Sequence, residues 1–234
     1  MKFHQTTEEY VKSQEQRLEL IKKHSLPTEG LVLKVYLPDE THNIKGDPKK
    51  SVTHEVEQIE INSLGITGDR HNNLYVKSNA REIELYSSKT TIRNNRHIFV
   101  VSENDCEELS RKIGVKITPE LLGANILVGI KNNNYPLTEI PQEAHLVITE
   151  SNAELPKPPL AVLVRHCKQE GCGITGKAIA EQYGRMELSA KFIENSKDNR
   201  GIVCKVEYPT PEENKAVIKP GMKIFFRYTS GVTS

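Results

Sequence analysis

Apolar and polar residues alternate with a period of two along many short stretches of this chain. Helical spacing is confined to three segments. LVLKVYL (31–37), HEVEQIEIN (54–62), ANILVGI (124–130) and AHLVITE (144–150) read as strands. So do LAVLVR (160–165), RGIVCKVEYP (200–209) and KIFFRYT (223–229), while REIELYS (81–87) and HIFVVS (97–102) are further apolar runs. The first helical segment is 6–24, with Thr6 or Thr7 as cap, glutamates in its first turn and Lys22, Lys23 and His24 near its end. The second is 102–113, with Ser102 as cap and Gly114 after its end. The third is 176–195.

No regular βαβ alternation accompanies these strands, so a doubly wound parallel sheet has no support. The pattern predicts a mainly β protein, an all-β barrel with peripheral α-helices. Loops such as ETHNIKGDPKK (40–50), GITGDRHNN (65–73) and the proline spacer LPKPP (155–159) separate the elements. The expected organisation is a helical extension over 1–27 followed by one barrel domain over 28–230. The extension carries only a thin apolar stripe, Leu18, Leu20 and Ile21.

Composition narrows the function classes. The 234 residues are 27% charged, yet the signs cancel to +1. No global basic field offers itself to nucleic acid, and basic residues are not interleaved with aromatics as a single-strand platform needs. No stretch reaches the roughly 20 apolar residues of a membrane span, and the polar N-terminus has no signal-peptide core. The four cysteines, at 106, 167, 172 and 204, are too few for a secreted disulfide scaffold of this size. A cytoplasmic protein with four free thiols is expected.

Four places could carry chemistry, and each has a plain reading beside it. In GITGDRHNN, Gly65 and Gly68 permit a tight loop, and Asp69, Arg70 and His71 set an acceptor, a fixed cation and a titratable group side by side. The same loop also reads as a solvated turn with a local ion pair. In RHCKQEGCG (165–173), Arg165, His166 and Lys168 surround Cys167 and would favour its thiolate, the nucleophile and soft metal ligand. A buried, incidental cysteine is the alternative. The spacing to Cys172 is wider than a C-x-x-C redox pair, and no second pair completes a zinc site. Asn125 in ELLGANI could hold a ligand or brace a turn. Arg200–Gly201 opens a strand, where a lone arginine is usually solvated. Phosphate-loop, dinucleotide and Ser–His–Asp signatures do not occur.

The order of these segments is more specific than any one of them. GITGDRH, a strand and helix, LGANI, a strand into Arg165-His-Cys167, RGIV and a final PGMKIF strand resemble the MOSC family, over about residues 28–228. This is the domain at the C-terminus of molybdenum-cofactor sulfurases, also found in stand-alone bacterial proteins. The resemblance implies a β-barrel with peripheral helices. It also implies a bound molybdenum cofactor (molybdopterin) and a cysteine that carries persulfide sulfur or ligates molybdenum. By match, Cys167 is that cysteine. Gly68, Asp69, Arg70 and His71 fall in the first signature loop, Asn125 in the second, and Arg200 and Gly201 in the last. Arg165, Arg70 and Arg200 would neutralise a pterin phosphate, and Asn125 would bind pterin edges.

The chain departs from the pattern in three ways. Ala124 stands where many members have glutamate, residues 1–27 have no counterpart, and Cys172 lies outside the general pattern. The aminotransferase-like domain of full sulfurases is absent, so this chain alone is not expected to bind pyridoxal phosphate. The implied activity is that of a molybdenum-dependent oxidoreductase or a sulfurtransferase, supplied by an electron-transfer protein or a sulfur donor. A persulfide carrier for metal–sulfur centre assembly and a non-catalytic ligand-binding barrel are the alternatives. Between the two cysteines, Cys167 is expected to matter and Cys172 much less.

Overall fold

The computed structural model describes residues 26–38, 47–78, 85–131, 135–142, 144–151, 158–169, 171–209 and 215–228. The helix expected over 6–24 lies outside the described residues, as do 81–84 and most of the 40–50 loop.

Seven strands close into a barrel, in the order β1 (Glu29–Pro38), β13 (Lys223–Arg227), β9 (His145–Thr149), β10 (Ala161–Lys168), β11 (Ile202–Tyr208), β7 (Ile98–Ser102), β8 (Ile126–Ile130) and back to β1. Every pairing is antiparallel except β7–β8. That parallel pair needs a crossover, and α1 (Glu103–Ile113) and α2 (Pro119–Leu122) supply it. A further strand, β2 (Thr53–Val56), flanks β1. Strand β3 (Ile59–Asn62) pairs with β4 (Gly65–Ile66) and β12 (Ala216–Ile218) in a small second sheet. A hairpin of β5 (Tyr75–Lys77) and β6 (Thr91–Arg93) stands apart from both.

Two apolar layers explain the hydrophobic pattern. Val32, Val100, Ile126, Leu146, Leu163, Ile202, Ile224 and Phe226 fill the barrel. Phe99, Val101 and Val203 on its outer wall pack beneath Leu109, Ile113, Ile179, Leu188 and Phe192 of the helices. Strand β7 is covered on both faces, which is why IFVVS is continuously apolar rather than alternating.

Helix α1 is as its sequence predicts: Ser102 and Asp105 form a reciprocal capping box, and Gly114 closes it in the left-handed region. Two expectations are corrected. The single strand expected over 54–62 is broken, because β2 joins the barrel sheet while β3 joins the small one. The single helix expected over 176–195 is two, α3 (Gly173–Tyr183) and α4 (Glu187–Asn195). Gly184, at φ 62°, ends α3 in the left-handed conformation, and α4 folds back against it. Helix α3 also begins three residues earlier than the apolar spacing suggested. That shift matters for the site.

Candidate functional site

A cleft of about 570 Å³ opens between the Asp69–His71 turn, the β7 wall and the start of α3. Its volume falls in the range of small-molecule sites. Asp69, Arg70, His71 and Asn125 line it, and so does Arg200. Five of the residues expected from the sequence therefore meet in one place. Gly68 opens the turn just before Asp69.

The polar network of the cleft is built inward. Asp69 is buried; its Oδ1 accepts from the His71 backbone N–H at 2.7 Å and contacts His71 Nδ1 at 2.9 Å. Asn125 Nδ2 donates to Asp69 Oδ2 at 3.2 Å, and Asn125 Oδ1 accepts from Phe99 N–H at 2.9 Å. The Asn125 amide thus ties the turn to the barrel wall. Burial raises the Asp69 carboxyl, but the hydrogen bonds and charge of His71 and the charge of Arg70 outweigh it, leaving it below the usual carboxylate range.

Arg200 is buried between two rings, 5.6 Å from the Phe99 centroid and 5.3 Å from that of Phe192. It donates to Leu122 O at 3.1 Å and Thr175 Oγ1 at 2.7 Å. Gly201, at φ 75°, lets the chain pass the β7 backbone immediately afterwards. An added Cβ would collide with Val100 O and lie 2.9 Å from Val101 Cγ1. Gly201→Ala is therefore expected to cost at least about 2 kcal/mol, read as a lowered urea midpoint.

The two cysteines of the RHCKQEGCG stretch separate. Cys172 lines the cleft; Cys167 does not. Strand β10 runs on through Lys168, with a bulge between Arg165 and Cys167. Before the bulge, Ala161, Leu163 and Arg165 face the barrel interior. After it, Cys167 pairs with Val203 and packs against the layer under the helices. Arg165 likewise stays out of the cleft: it is buried and donates to the carbonyls of Ile140 and Thr138. It was expected to neutralise a ligand phosphate; strand periodicity commits it to the barrel instead.

Cys172 is the residue at which α3 begins. Its thiol completes no capping hydrogen bond of ordinary geometry. Burial pushes its pKa up, but the N–H groups of Thr175 and Ile174, the Thr175 hydroxyl and the Arg200 charge together bring it below the ordinary thiol value. Cys106 and Cys204, by contrast, are buried and pushed up, Cys106 to about 12. None of the four cysteines is in a disulfide bond. The clue in the sequence was the glycine-bracketed cysteine before GITGKAIA, which reads as a thiol at a helix start once α3 is begun at residue 173.

Sequence reasoning also missed Lys77, Arg96, His97, Gln169 and Thr175, all on the cleft wall. Gln169 Oε1 is buried there and accepts no hydrogen bond among the described residues. His97 accepts from Val206 N–H at Nδ1 and contacts Asn94 O through Nε2. Burial lowers its pKa to about 4, so it folds as the neutral imidazole. The unfolded chain takes up this proton first as pH falls below about 6.5. The His97 contribution is thus complete above pH 6.5 and lost towards pH 4. Relative to His97→Gln, the wild type is expected to lose about 3 kcal/mol across that window, measured by urea unfolding at each pH. A constant difference would contradict the assignment.

No group of three or more metal-binding side chains occurs among the described residues, and no helix among them is long and apolar enough to cross a membrane. No protein-family model matches the chain. A curated relative from Bacillus subtilis (strain 168), YuaD, is 33% identical over 165 residues, covering 70% of this chain and 79% of its own length. The chain belongs to the YuaD family. The name of YuaD gives metal-sulfur cluster biosynthesis as that protein's provisional role. The crystal structure of Bacillus subtilis YuaD superposes with a TM-score of 0.69 at 26% identity, covering 87% of this chain and 99% of that one. YiiM from Geobacillus stearothermophilus, a MOSC-domain protein, superposes with a TM-score of 0.50 at 10% identity, covering 85% of this chain and 75% of that one. The YuaD-family barrel seen here is therefore MOSC-like in fold.

Proposed function

We propose that this YuaD-family protein carries sulfur as a persulfide on Cys172 and delivers it during assembly of a metal–sulfur centre. One observation carries the reading: the cleft thiol sits at the start of α3 beside buried Arg200, where the thiolate is favoured. The role in YuaD's name is of the same kind. Loading needs a donor that itself bears a persulfide. The Cys172 thiolate bonds to the outer sulfur of the donor, the donor S–S bond breaks, and the inner donor sulfur leaves with the electron pair as a thiolate that takes a proton. The outer sulfur keeps its oxidation state, so no separate oxidant is required.

Incubation with a small persulfide such as glutathione persulfide is expected to add the mass of one sulfur atom, reversed by dithiothreitol. An unchanged intact mass would sink the proposal.

A second reading is favoured by the size and charge of the cleft. A molybdenum cofactor fits the residues present. Arg70, Lys77 and Arg96 would hold its phosphate, Gln169 Oε1 would accept a pterin N–H, and the Cys172 thiolate is a suitable soft ligand. Such a cofactor would supply redox chemistry, and an electron-transfer partner would then replace the sulfur donor. Metal analysis after expression in a cofactor-competent host separates the readings, with molybdenum and pterin present only under the second.

A further inference from the structure

We infer that His71 moves the proton in the thiol chemistry of the cleft, with Asp69 and Asn125 holding it in place. The inference rests on the sulfur-carrier reading above.

The geometry is that of a base oriented by a carboxylate, which is itself oriented by an amide. Asp69 Oδ1 lies 2.9 Å from His71 Nδ1 and also accepts the His71 backbone N–H at 2.7 Å. An ionised carboxylate can only accept, so Nδ1 carries its proton. That leaves Nε2, on the far side of the ring, for the cleft that His71 lines. Asp69 is fixed in turn by Asn125 Nδ2 at 3.2 Å, and the His71 carbonyl by Asn94 Nδ2 at 2.7 Å. The Asp69 side chain is 4% exposed and that of His71 45%, so one end of the pair is anchored and the other is open. The remaining charged groups of the cleft are Arg70, Lys77, Arg96 and Arg200, with His97 held neutral. Asp69 is already engaged through both oxygens, so the half-exposed His71 imidazole is the side chain on this wall whose second ring nitrogen can give or take a proton.

Two steps need that proton. In loading, the donor's inner sulfur leaves as a thiolate. Protonated His71 gives up its Nε2 proton, and the donor departs as a neutral thiol. In delivery, neutral His71 takes the proton of an acceptor thiol. The acceptor sulfur then bonds to the outer sulfur on Cys172, the Cys172 S–S bond breaks, and Cys172 returns to thiolate. Proton and electron pair balance over the cycle.

The test uses the full chain and glutathione persulfide from pH 5 to 8.5, reading the rate of sulfur gain by mass. His71→Gln is expected to load about 100-fold more slowly across that range. Added imidazole should restore much of the rate to His71→Gly, and Asp69→Asn, which loosens the hold on the ring, should slow loading by less than His71→Gln does. Alkylation of Cys172 by iodoacetamide, which needs no proton donor, should stay at the wild-type rate in His71→Gln. Loading of His71→Gln at the wild-type rate would overturn the inference alone. So would a parallel fall in alkylation, which marks a structural role. Failure of the wild type to load at any pH would overturn the carrier reading, and this inference with it.

Discussion

Replacing Cys172 by serine is expected to abolish persulfide loading, while replacing Cys167 by serine leaves it near the wild-type level. Cys172 is the thiol that lines the cleft among the described residues. Its thiolate is favoured by the N–H groups that open α3 and by the Arg200 charge. A serine hydroxyl keeps the shape but not the ionisation, so the nucleophile is lost. Cys167 lies beyond the β10 bulge, packed with Val203 against the helix layer. Cys106 and Cys204 cannot substitute, because burial raises both thiols far above neutral pH. Intact mass after glutathione persulfide treatment reads all four serine variants. Loading that survives in Cys172→Ser and disappears in Cys167→Ser would place the chemistry on the opposite cysteine.

The second large effect is expected at Arg200. Arg200→Met removes the donors to Leu122 O and Thr175 Oγ1 and the cation between Phe99 and Phe192. Methionine can fill the apolar slot, but the Leu122 carbonyl and Thr175 hydroxyl lose their partner. A destabilisation of about 3 kcal/mol follows from lost hydrogen bonds to a charged group, read as a lower urea midpoint. The same change takes away a charge that favours the Cys172 thiolate, so its alkylation rate at neutral pH should fall and its pH profile move upward. Arg200→Lys keeps the charge but not the planar fork, and should recover the reactivity more than the stability. Unchanged alkylation in Arg200→Met would show that the helix start alone sets the thiol.

Much of the barrel was legible in the sequence because strand pattern and burial agree. Alternation marks β1, β9 and β13, each with a face against the core, and the unbroken apolar run of β7 marks a strand covered on both sides. Two kinds of feature were hidden. One is where a strand changes sheets: nothing in the apolar period of 54–62 shows that Glu57–Gln58 separates two partners. The other is the phase of β10. Alternation keeps Arg165 on the barrel side, and the bulge that follows reverses the face of the later residues, so Cys167 lies under the helices while Cys172 reaches the cleft. The glycine loop and Asn125 stand out in the sequence as local segments, each with a plain turn reading beside it, and the family resemblance is what put them in one site. Their joining through the 3.2 Å contact of Asn125 to Asp69 spans 56 residues and belongs to the folded chain alone.

The most direct measurement is to map the sulfur in the loaded, unmutated protein. Trypsin cuts after Arg165, Lys168 and Lys177, so Cys167 falls on the peptide 166–168 and Cys172 on 169–177. After treatment with glutathione persulfide and blocking of the persulfide, the added sulfur is predicted on 169–177. Its presence on 166–168, with 169–177 unmodified, would contradict the account.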